Sequence, residues 1–201
     1  MLPAGFVQRE ARASRYAFKA DFMMPFHSAR LTFRPLEAAD AAGMFALDSD
    51  PTVHRYLGGI GGPMVTEPAQ SAGVIAAIRQ QYADTGLGRW AVLHRETGDF
   101  MGWAGLKLVR TEVNGRRDFY DLGYRFRPAY WGQGYGGEAA QAWLRYGFET
   151  LALPAICGYA DAENQASCRI LTRIGLQPTN EFDEGGTRCI WFEASWTAWL
   201  G

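Results

Sequence analysis

The sequence has few cysteines, no long hydrophobic run and almost no net charge, and each absence excludes a class of protein. Its three cysteines, Cys157, Cys168 and Cys189, are odd in number and lack metal-ligand spacing. This excludes a disulfide framework or a zinc site and favours a reducing compartment. No apolar run approaches the ~20 residues that span a bilayer. A net charge of −1 creates no field that attracts nucleic acid or an anionic membrane. We therefore expect a cytoplasmic protein without nucleic-acid or membrane partners, and the sequence does not indicate its oligomeric state.

The composition is that of a globular domain. Hydrophobic residues make up 48% and charged residues 20% of the 201 residues, which suits one domain with a substantial core. The first residues differ in character from the rest, and Met24 offers a second start for the sequence. We predict a domain over residues 25–201. Residues 1–24 are predicted to be an extension that is disordered or arises from an upstream start or an artificial addition.

The hydrophobic pattern predicts alternating helices and strands. Strands are predicted at 30–36, 89–95, 100–110, 119–127, 155–161 and 188–196. Helices are predicted from residue 39 or 40, at 67–86, at 138–153 and at 164–175. The second to fourth strands are linked by hairpin turns, whereas the later ones alternate with helices. The fold class is therefore α/β of the α+β type, a single domain with a mixed, mostly antiparallel sheet flanked by helices.

One glycine-rich stretch, "PAYWGQGYGGEAA" at 128–140, leads directly into a predicted helix. Its four glycines are Gly132, Gly134, Gly136 and Gly137. Consecutive backbone N–H groups at a helix N-terminus form an anion site, and glycine permits close approach of a pyrophosphate. The alternative is that the glycines only make a tight turn and let the helix pack closely. The loop is expected to bind a phosphorylated cofactor.

A second interpretation of this loop is a dinucleotide fingerprint. Asp161 follows the third glycine of a G-x-G-x-x-G pattern by 161 − 137 = 24 residues, near the spacing of a ribose-binding acid. Against this, Pro128 separates the loop from the preceding strand, and hairpin-linked strands come before it. An NAD-dependent oxidoreductase therefore remains the minor alternative.

Flanking sequence decides between these interpretations by resemblance. "DLGYRFRPAYWGQGYGGEAAQAWLRYGFETL" and "ADAENQASCRILTRIGL" resemble the two signature segments of the GNAT superfamily of acetyl-CoA-dependent N-acetyltransferases. "YWGQGY" and "N-x-x-S-x-R-I-L" resemble the branch that acetylates the N-terminal alanine of ribosomal proteins. The likeness runs from about residue 29 to the C-terminus. It implies a sheet that is splayed between the fourth and fifth predicted strands.

The resemblance also implies how acetyl-CoA is held. Backbone N–H groups around the coenzyme A pyrophosphate would come from Gln133, Gly134, Tyr135, Gly136 and Gly137. The main chain of Phe126 and Arg127 would bond the pantetheine arm like an added strand, and Asn164 would bond a pantetheine amide. Trp131 stands where the superfamily usually has Arg or Gln, so backbone groups must carry the phosphate contacts.

Two side chains are implied to act in the reaction. Asp121 matches the position of a general base, acting directly or through water; its alternative is an ion pair with Arg125 on the same strand face. Ser167 is implied to hydrogen-bond the departing sulfur. Helix capping by Asn164 and Ser167 is the alternative for both residues. Cys168 has no histidine at a partner spacing, so direct attack in a ternary complex is preferred to a thiol acyl-enzyme.

The acceptor is left open between a protein N-terminal α-amine and a small-molecule amine. An α-amino group, with a pKa of about 8, is partly neutral at pH 7, whereas lysine, near 10.4, is not. A modest base therefore suits an α-amine. Trp90 and Trp103 lie on strands that could wall an acceptor channel. A coenzyme A-binding sensor without catalysis is a further alternative.

Overall fold

A computed structural model describes residues 24–58 and 62–199 of the chain. The predicted N-terminal extension, residues 1–24, therefore lies outside the described residues, Met24 excepted.

The described residues form one mixed sheet of eight strands in the order β1-β2-β3-β4-β5-β6-β8-β7. The strands are β1 Phe26–His27, β2 Leu31–Arg34, β3 Gly88–His94, β4 Phe100–Val109, β5 Phe119–Phe126, β6 Ala155–Asp161, β7 Gln177–Glu184 and β8 Thr187–Ser195. All neighbours are antiparallel except β5 and β6, which are parallel. The predicted single α/β domain with a mostly antiparallel sheet is confirmed.

Two strands, β1 and β7, were not predicted. β1 has only two residues, too few for a pattern. In β7, no residue is buried, so the alternation that marks a half-buried strand is absent. Pro178 lies within β7, and proline is tolerated there because β7 is the last strand at its edge of the sheet.

Within residues 24–58 and 62–199, six α-helices flank the sheet. They are α1 Ala41–Asp48, α2 Pro51–His54, α3 Pro68–Thr85, α4 Tyr135–Arg145, α5 Gln165–Arg173 and α6 Trp196–Trp199. The helix predicted at 138–153 begins three residues earlier, at Tyr135, and ends in a π-helical turn, Tyr146–Thr150. Gly147 lets that turn pack closely on the sheet, since a Cβ there would lie 2.7 Å from the Leu106 side chain and 2.6 Å from the Ile156 side chain.

The helices cover opposite faces of the sheet. Trp143 of α4 packs edge-on against Trp90 of β3, with ring centroids 5.2 Å apart. Asp48 of α1 pairs with Arg125 of β5 on the other face, 2.6 Å from its guanidinium. Alternate residues of a strand point to opposite faces, so the two contacts fix which residues of β5 point toward α1 and which toward α4.

β5 and β6 are joined at only one point. The register between them consists of a single pair, Asp121 with Cys157. β4 and β5, in contrast, pair from Gly102–Phe126 to Val109–Phe119. Beyond Asp121 the carboxyl half of β5 therefore has β4 on one side and an opening on the other. The predicted splay between these strands is confirmed.

Close backbone approach at Gly102 secures the far end of β5, and its substitution tests this packing. A Cβ on Gly102 would overlap the carbonyl oxygen of Arg125. Because a backbone atom cannot move aside cheaply, we expect Gly102→Ala to destabilise the protein by about 3 kcal/mol in urea unfolding.

A matched control for this substitution is Gly73→Ala. Gly73 lies within α3 and a Cβ there meets no atom within 4 Å. This change should stabilise the protein by about 0.5–1 kcal/mol, because alanine favours the helix. Equal stability of the Gly102→Ala variant and the unsubstituted protein would contradict the packing argument.

Candidate active site

The glycine-rich loop forms the N-terminus of α4. After a 3₁₀ turn at Pro128–Tyr130, Gly132 and Gly134 adopt left-handed backbone angles, with φ of +72° and +83°. Gly134 is the N-cap of α4, so the N–H groups of the residues that follow it begin the helix without partners in a preceding turn. A Cβ at Gly137 would meet nothing within 4 Å. The space above the helix N-terminus is therefore open to an anion.

An ion pair that we did not predict fixes this loop to the turn before β2. The main-chain N–H and the Nε of Arg30 each donate to Glu138, at 2.7 Å, and the Ser28 hydroxyl donates to the same carboxylate at 2.7 Å. The Arg30 guanidinium also donates to the carbonyl of Gln133 at 3.1 Å and lies 4.2 Å from the centre of the Tyr135 ring. Arg30, the residue immediately before β2, therefore holds both the loop and the first turn of α4.

The Glu138 carboxylate is charged in this arrangement. Partial burial favours its neutral form, but the hydrogen bonds from Ser28 and Arg30 outweigh burial and lower the pKa of Glu138. The stabilisation is therefore present above the ordinary carboxyl pKa of about 4.3 and is lost as the pH falls through the lowered value. A negative charge in the first turn also complements the helix dipole.

Of the predicted pair, Phe126 and Arg127, only Phe126 has main-chain groups that face the opening. The N–H of Arg127 donates to Met101 of β4 at 2.9 Å, so it is used inside the sheet. Since successive residues direct their N–H and C=O groups to opposite sides, Phe126 and Tyr124 face the opening. The Phe126 carbonyl accepts from the Trp131 indole at 2.7 Å. The Phe126 N–H and the Tyr124 main chain thus line the gap. In the β4–β5 hairpin every second residue of β5 directs its main-chain groups away from β4, and this alternation is the signal that would have identified Tyr124.

α5 lies across the opening from β5. The side-chain oxygen of Asn164 accepts from the N–H of Ser167 at 3.1 Å. Asn164 therefore caps the helix, which was the alternative interpretation of this residue. The Ser167 hydroxyl lies 2.9 Å from the Tyr124 hydroxyl. Asn164 and Ser167 are therefore brought to the same opening as Phe126, on the α4 side of the sheet.

Asp121 is buried on the opposite face, at the point where β5 and β6 meet. Its Oδ2 accepts a hydrogen bond from the Arg89 guanidinium and lies 3.7 Å from the Lys107 ammonium. Oδ1 accepts no hydrogen bond from any residue within 24–58 or 62–199. The alternative pairing with Arg125 is wrong, because Arg125 instead contacts Asp48 of α1 at 2.6 Å.

The basic residues around Asp121 share a crowded site. Burial lowers the pKa of Lys107, and the nearby Arg89 lowers it further, while Asp121 opposes the shift. A Cβ on Gly123 would lie 2.7 Å from the Arg89 guanidinium carbon. Because Gly123 has no side chain, the strand leaves room there for the Arg89 guanidinium that holds Asp121.

The two tryptophans on strands that could wall an acceptor channel lie on different faces of the sheet. Trp103 is half-buried beside Arg89 and Arg125, whose guanidinium carbons are 5.4 Å and 5.0 Å from its ring. Trp90 is 2% exposed and packs in the core against α4, so its side chain does not line a channel.

The thiol next to Ser167 is poorly suited to act as a nucleophile. Cys168 is buried, and burial raises the pKa of its thiol. Because the thiolate is the reactive form, a raised pKa lowers its nucleophilic fraction at neutral pH. Asp161, the expected ribose ligand of the dinucleotide interpretation, accepts the N–H of Glu163 at 2.8 Å and so closes the turn before α5.

The site thus combines four features at one opening: a helix N-terminus with free N–H groups, the edge of β5 that β6 does not pair, a carboxylate on one face of the sheet and a hydroxyl on the other. Among the described residues no helix is long and apolar enough to cross a membrane.

Known proteins are similar to this chain in sequence. The chain is 30% identical over 156 residues to the uncharacterized N-acetyltransferase p20 of Bacillus licheniformis, covering 77% of this chain and 83% of that protein. It is 31% identical over 159 residues to the FsC-acetyl coenzyme A-N(2)-transacetylase of Aspergillus fumigatus, covering 78% of this chain and 66% of the relative.

Solved structures have the same fold. An acetyltransferase from Agrobacterium tumefaciens matches with a TM-score of 0.67 at 27% identity, over 85% of this chain and 94% of its own. RimL, a ribosomal L7/L12 α-N-protein acetyltransferase solved in complex with coenzyme A, matches with a TM-score of 0.71 at 13% identity, over 86% and 98% of the two chains. The sequence profile of the GNAT acetyltransferase domain matches residues 30–177. The chain therefore belongs to the GNAT acetyltransferases and is an N-acetyltransferase.

Proposed function

We propose that the protein transfers an acetyl group from acetyl-CoA to a primary amine by direct attack in a ternary complex. The observation that carries this proposal is the opening between β5 and β6 beyond their single pair, Asp121 with Cys157. The opening has the helix N-terminus at Gly134 beside it and acid–base side chains on both faces.

The residues around the opening fit acetyl-CoA. We assign the pyrophosphate to the backbone N–H groups of the loop, whose members are Gln133, Gly134, Tyr135, Gly136 and Gly137. The pantetheine arm is assigned to the main chain of Phe126 and Tyr124, because the amide of Arg127 is bonded to Met101. Asn164 uses its side-chain oxygen for the cap, which leaves its NH₂ group for a pantetheine carbonyl.

Asp121 is proposed as the base. In the reaction the amine nitrogen forms a bond to the acetyl carbonyl carbon, and the C–S bond breaks with its electron pair passing to sulfur. The proton that the amine loses passes to Oδ1 of Asp121 through a bridging water, since the carboxylate is short and held by Arg89 through Oδ2. An amine that is partly neutral at pH 7 suits such a base.

Ser167 is proposed to support the leaving sulfur by donating its hydroxyl hydrogen bond. A thiol has a pKa near 8.5, so a thiolate leaves readily and a hydrogen bond suffices to stabilise its charge. A main-chain N–H at the opening, that of Phe126 or Tyr124, would stabilise the carbonyl oxygen as its negative charge develops.

The acceptor class is proposed to be a protein N-terminal α-amine or a small-molecule amine. The names of two related proteins support both: RimL acts on a ribosomal protein, and the fungal relative is an FsC N(2)-transacetylase. We place the activity in the cytoplasm, where the three free cysteines of the chain would stay reduced.

Ligand titration tests the cofactor. We expect calorimetry to give micromolar affinity for acetyl-CoA and no binding of NAD(H), because Asp161 is committed to the turn before α5. Binding of NAD(H) alone would contradict the proposal. Binding of acetyl-CoA without acetylation of any α-amine or small amine, measured by release of free thiol, would indicate a non-catalytic sensor.

Two substitutions test the chemical roles. Asp121→Asn should lower kcat about 10²-fold through loss of the base, and Ser167→Ala about fivefold to tenfold through loss of one hydrogen bond. Both variants should bind acetyl-CoA as tightly as the unsubstituted protein.

The control for these substitutions is Asp84→Asn, an exposed carboxylate on α3. It should leave kcat unchanged. An Asp121→Asn variant with full activity and unchanged stability would remove Asp121 from the reaction.

A further inference from the structure

We propose that Tyr124 is a positioning residue for Ser167: its hydroxyl donates to the Ser167 oxygen and thereby directs the serine proton toward the sulfur of the acyl donor. This inference rests on the proposed function, because it deepens the role given to Ser167.

The first observation is the hydrogen-bond partner of the Ser167 hydroxyl. A serine or threonine inside a helix can donate to the main-chain carbonyl four residues earlier, as Thr172 of α5 does to the carbonyl of Cys168 at 3.0 Å. Ser167 is only the third residue of α5, so no carbonyl of that helix lies four residues before it. The Ser167 hydroxyl instead lies 2.9 Å from the Tyr124 hydroxyl, which is its sole side-chain partner in the part of the chain that the structure describes.

The second observation is how Tyr124 is held. Its ring lies beneath the first turn of α4, where a Cβ on Gly136 would lie 3.8 Å from it. From β5 the side chain crosses to α5 on the far side of the opening. Tyr124 therefore connects the strand, the phosphate-loop helix and the helix that carries Ser167.

The third observation is the direction of the hydrogen bond that the proposal requires. Either hydroxyl can donate at this distance, and burial raises the pKa of Tyr124, so the phenol keeps its proton at neutral pH and can be the donor. Two acceptors are within reach, the Ser167 oxygen at 2.9 Å and the Ser167 carbonyl at 3.3 Å. Donation to the nearer one leaves the serine hydrogen unused inside the protein.

This direction has a chemical consequence. When Tyr124 donates to Oγ, the Ser167 proton points away from the phenol and can reach a sulfur in the opening. Hydrogen bonds in such a chain polarise one another, so the bond from serine to a developing thiolate is strengthened. If Tyr124 donated only to the Ser167 carbonyl, the Ser167 hydroxyl would donate to the phenol oxygen and would have no proton for the sulfur.

A double-mutant cycle tests the inference, with kcat and the pKa of bound coenzyme A as readouts. Tyr124→Phe should lower kcat about fivefold, as expected for one neutral hydrogen bond, and should have almost no further effect in a Ser167→Ala background. The thiol of coenzyme A bound to the protein, titrated by thiolate absorbance, should have a higher pKa in either variant than in the unsubstituted protein.

Tyr120→Phe is the matched control. Tyr120 lies on the same strand and face as Tyr124, and its hydroxyl has no hydrogen-bond partner in residues 24–58 and 62–199. This variant should leave both readouts unchanged.

The kcat and pKa readouts can each overturn the inference. If Tyr124→Phe lowers kcat equally with and without Ser167, or does not change the pKa of the bound thiol, Tyr124 supports packing only. If coenzyme A binds but no amine is acetylated, the proposed function fails, yet the thiol titration still decides whether Tyr124 acts through Ser167. If the protein does not bind coenzyme A, both the proposed function and the inference about Tyr124 are contradicted.

Discussion

The single pairing of β5 with β6, at Asp121 and Cys157, is the constraint on which the site depends. A sheet normally satisfies the backbone groups of an interior strand on both sides. Here the carboxyl half of β5 is paired to β4 alone, although it lies in the middle of eight strands. The unmet hydrogen-bonding capacity lies between two rigid strands, so a ligand that brings amide groups can complete the sheet at little conformational cost.

Long-range polar contacts hold the surroundings of the opening in place. Arg30, immediately before β2, fixes the glycine loop through Glu138 and Gln133. Arg89 of β3 fixes one oxygen of Asp121 and also bonds its main-chain carbonyl at 2.8 Å, on the opposite face. Loop and carboxylate are thus held from neighbouring strands of the same sheet. Such preorganisation matters because a site must hold its groups within a fraction of an ångström of the reacting atoms.

Local sequence signals predicted the scaffold well. β6 matches its predicted range, and Asn164 caps α5 as its residue type suggests, since both depend on neighbours in the chain. The glycine loop was located for the same reason. β7 was missed because an exposed edge strand has no alternating burial.

What the sequence did not predict depends on contacts between distant positions. The Arg30–Glu138 pair joins residues 108 apart, and the Tyr124–Ser167 bond joins residues 43 apart. Strand alternation put Trp90 on some face of β3, but only the position of α4 made that face the core. The partner of Asp121 likewise depended on which strand lay two places away, so a nearby arginine in sequence, Arg125, was the wrong candidate.

Amide hydrogen exchange with and without acetyl-CoA tests the central claim, that the ligand occupies the opening as an added strand. The N–H of Arg127 is already bonded within the sheet, so its exchange should be slow in both states. The N–H of Phe126 faces the opening and should exchange much more slowly once acetyl-CoA is bound. Slowed exchange in the glycine loop with no change at Phe126 would contradict the account, because the ligand would then bind the loop without entering the sheet.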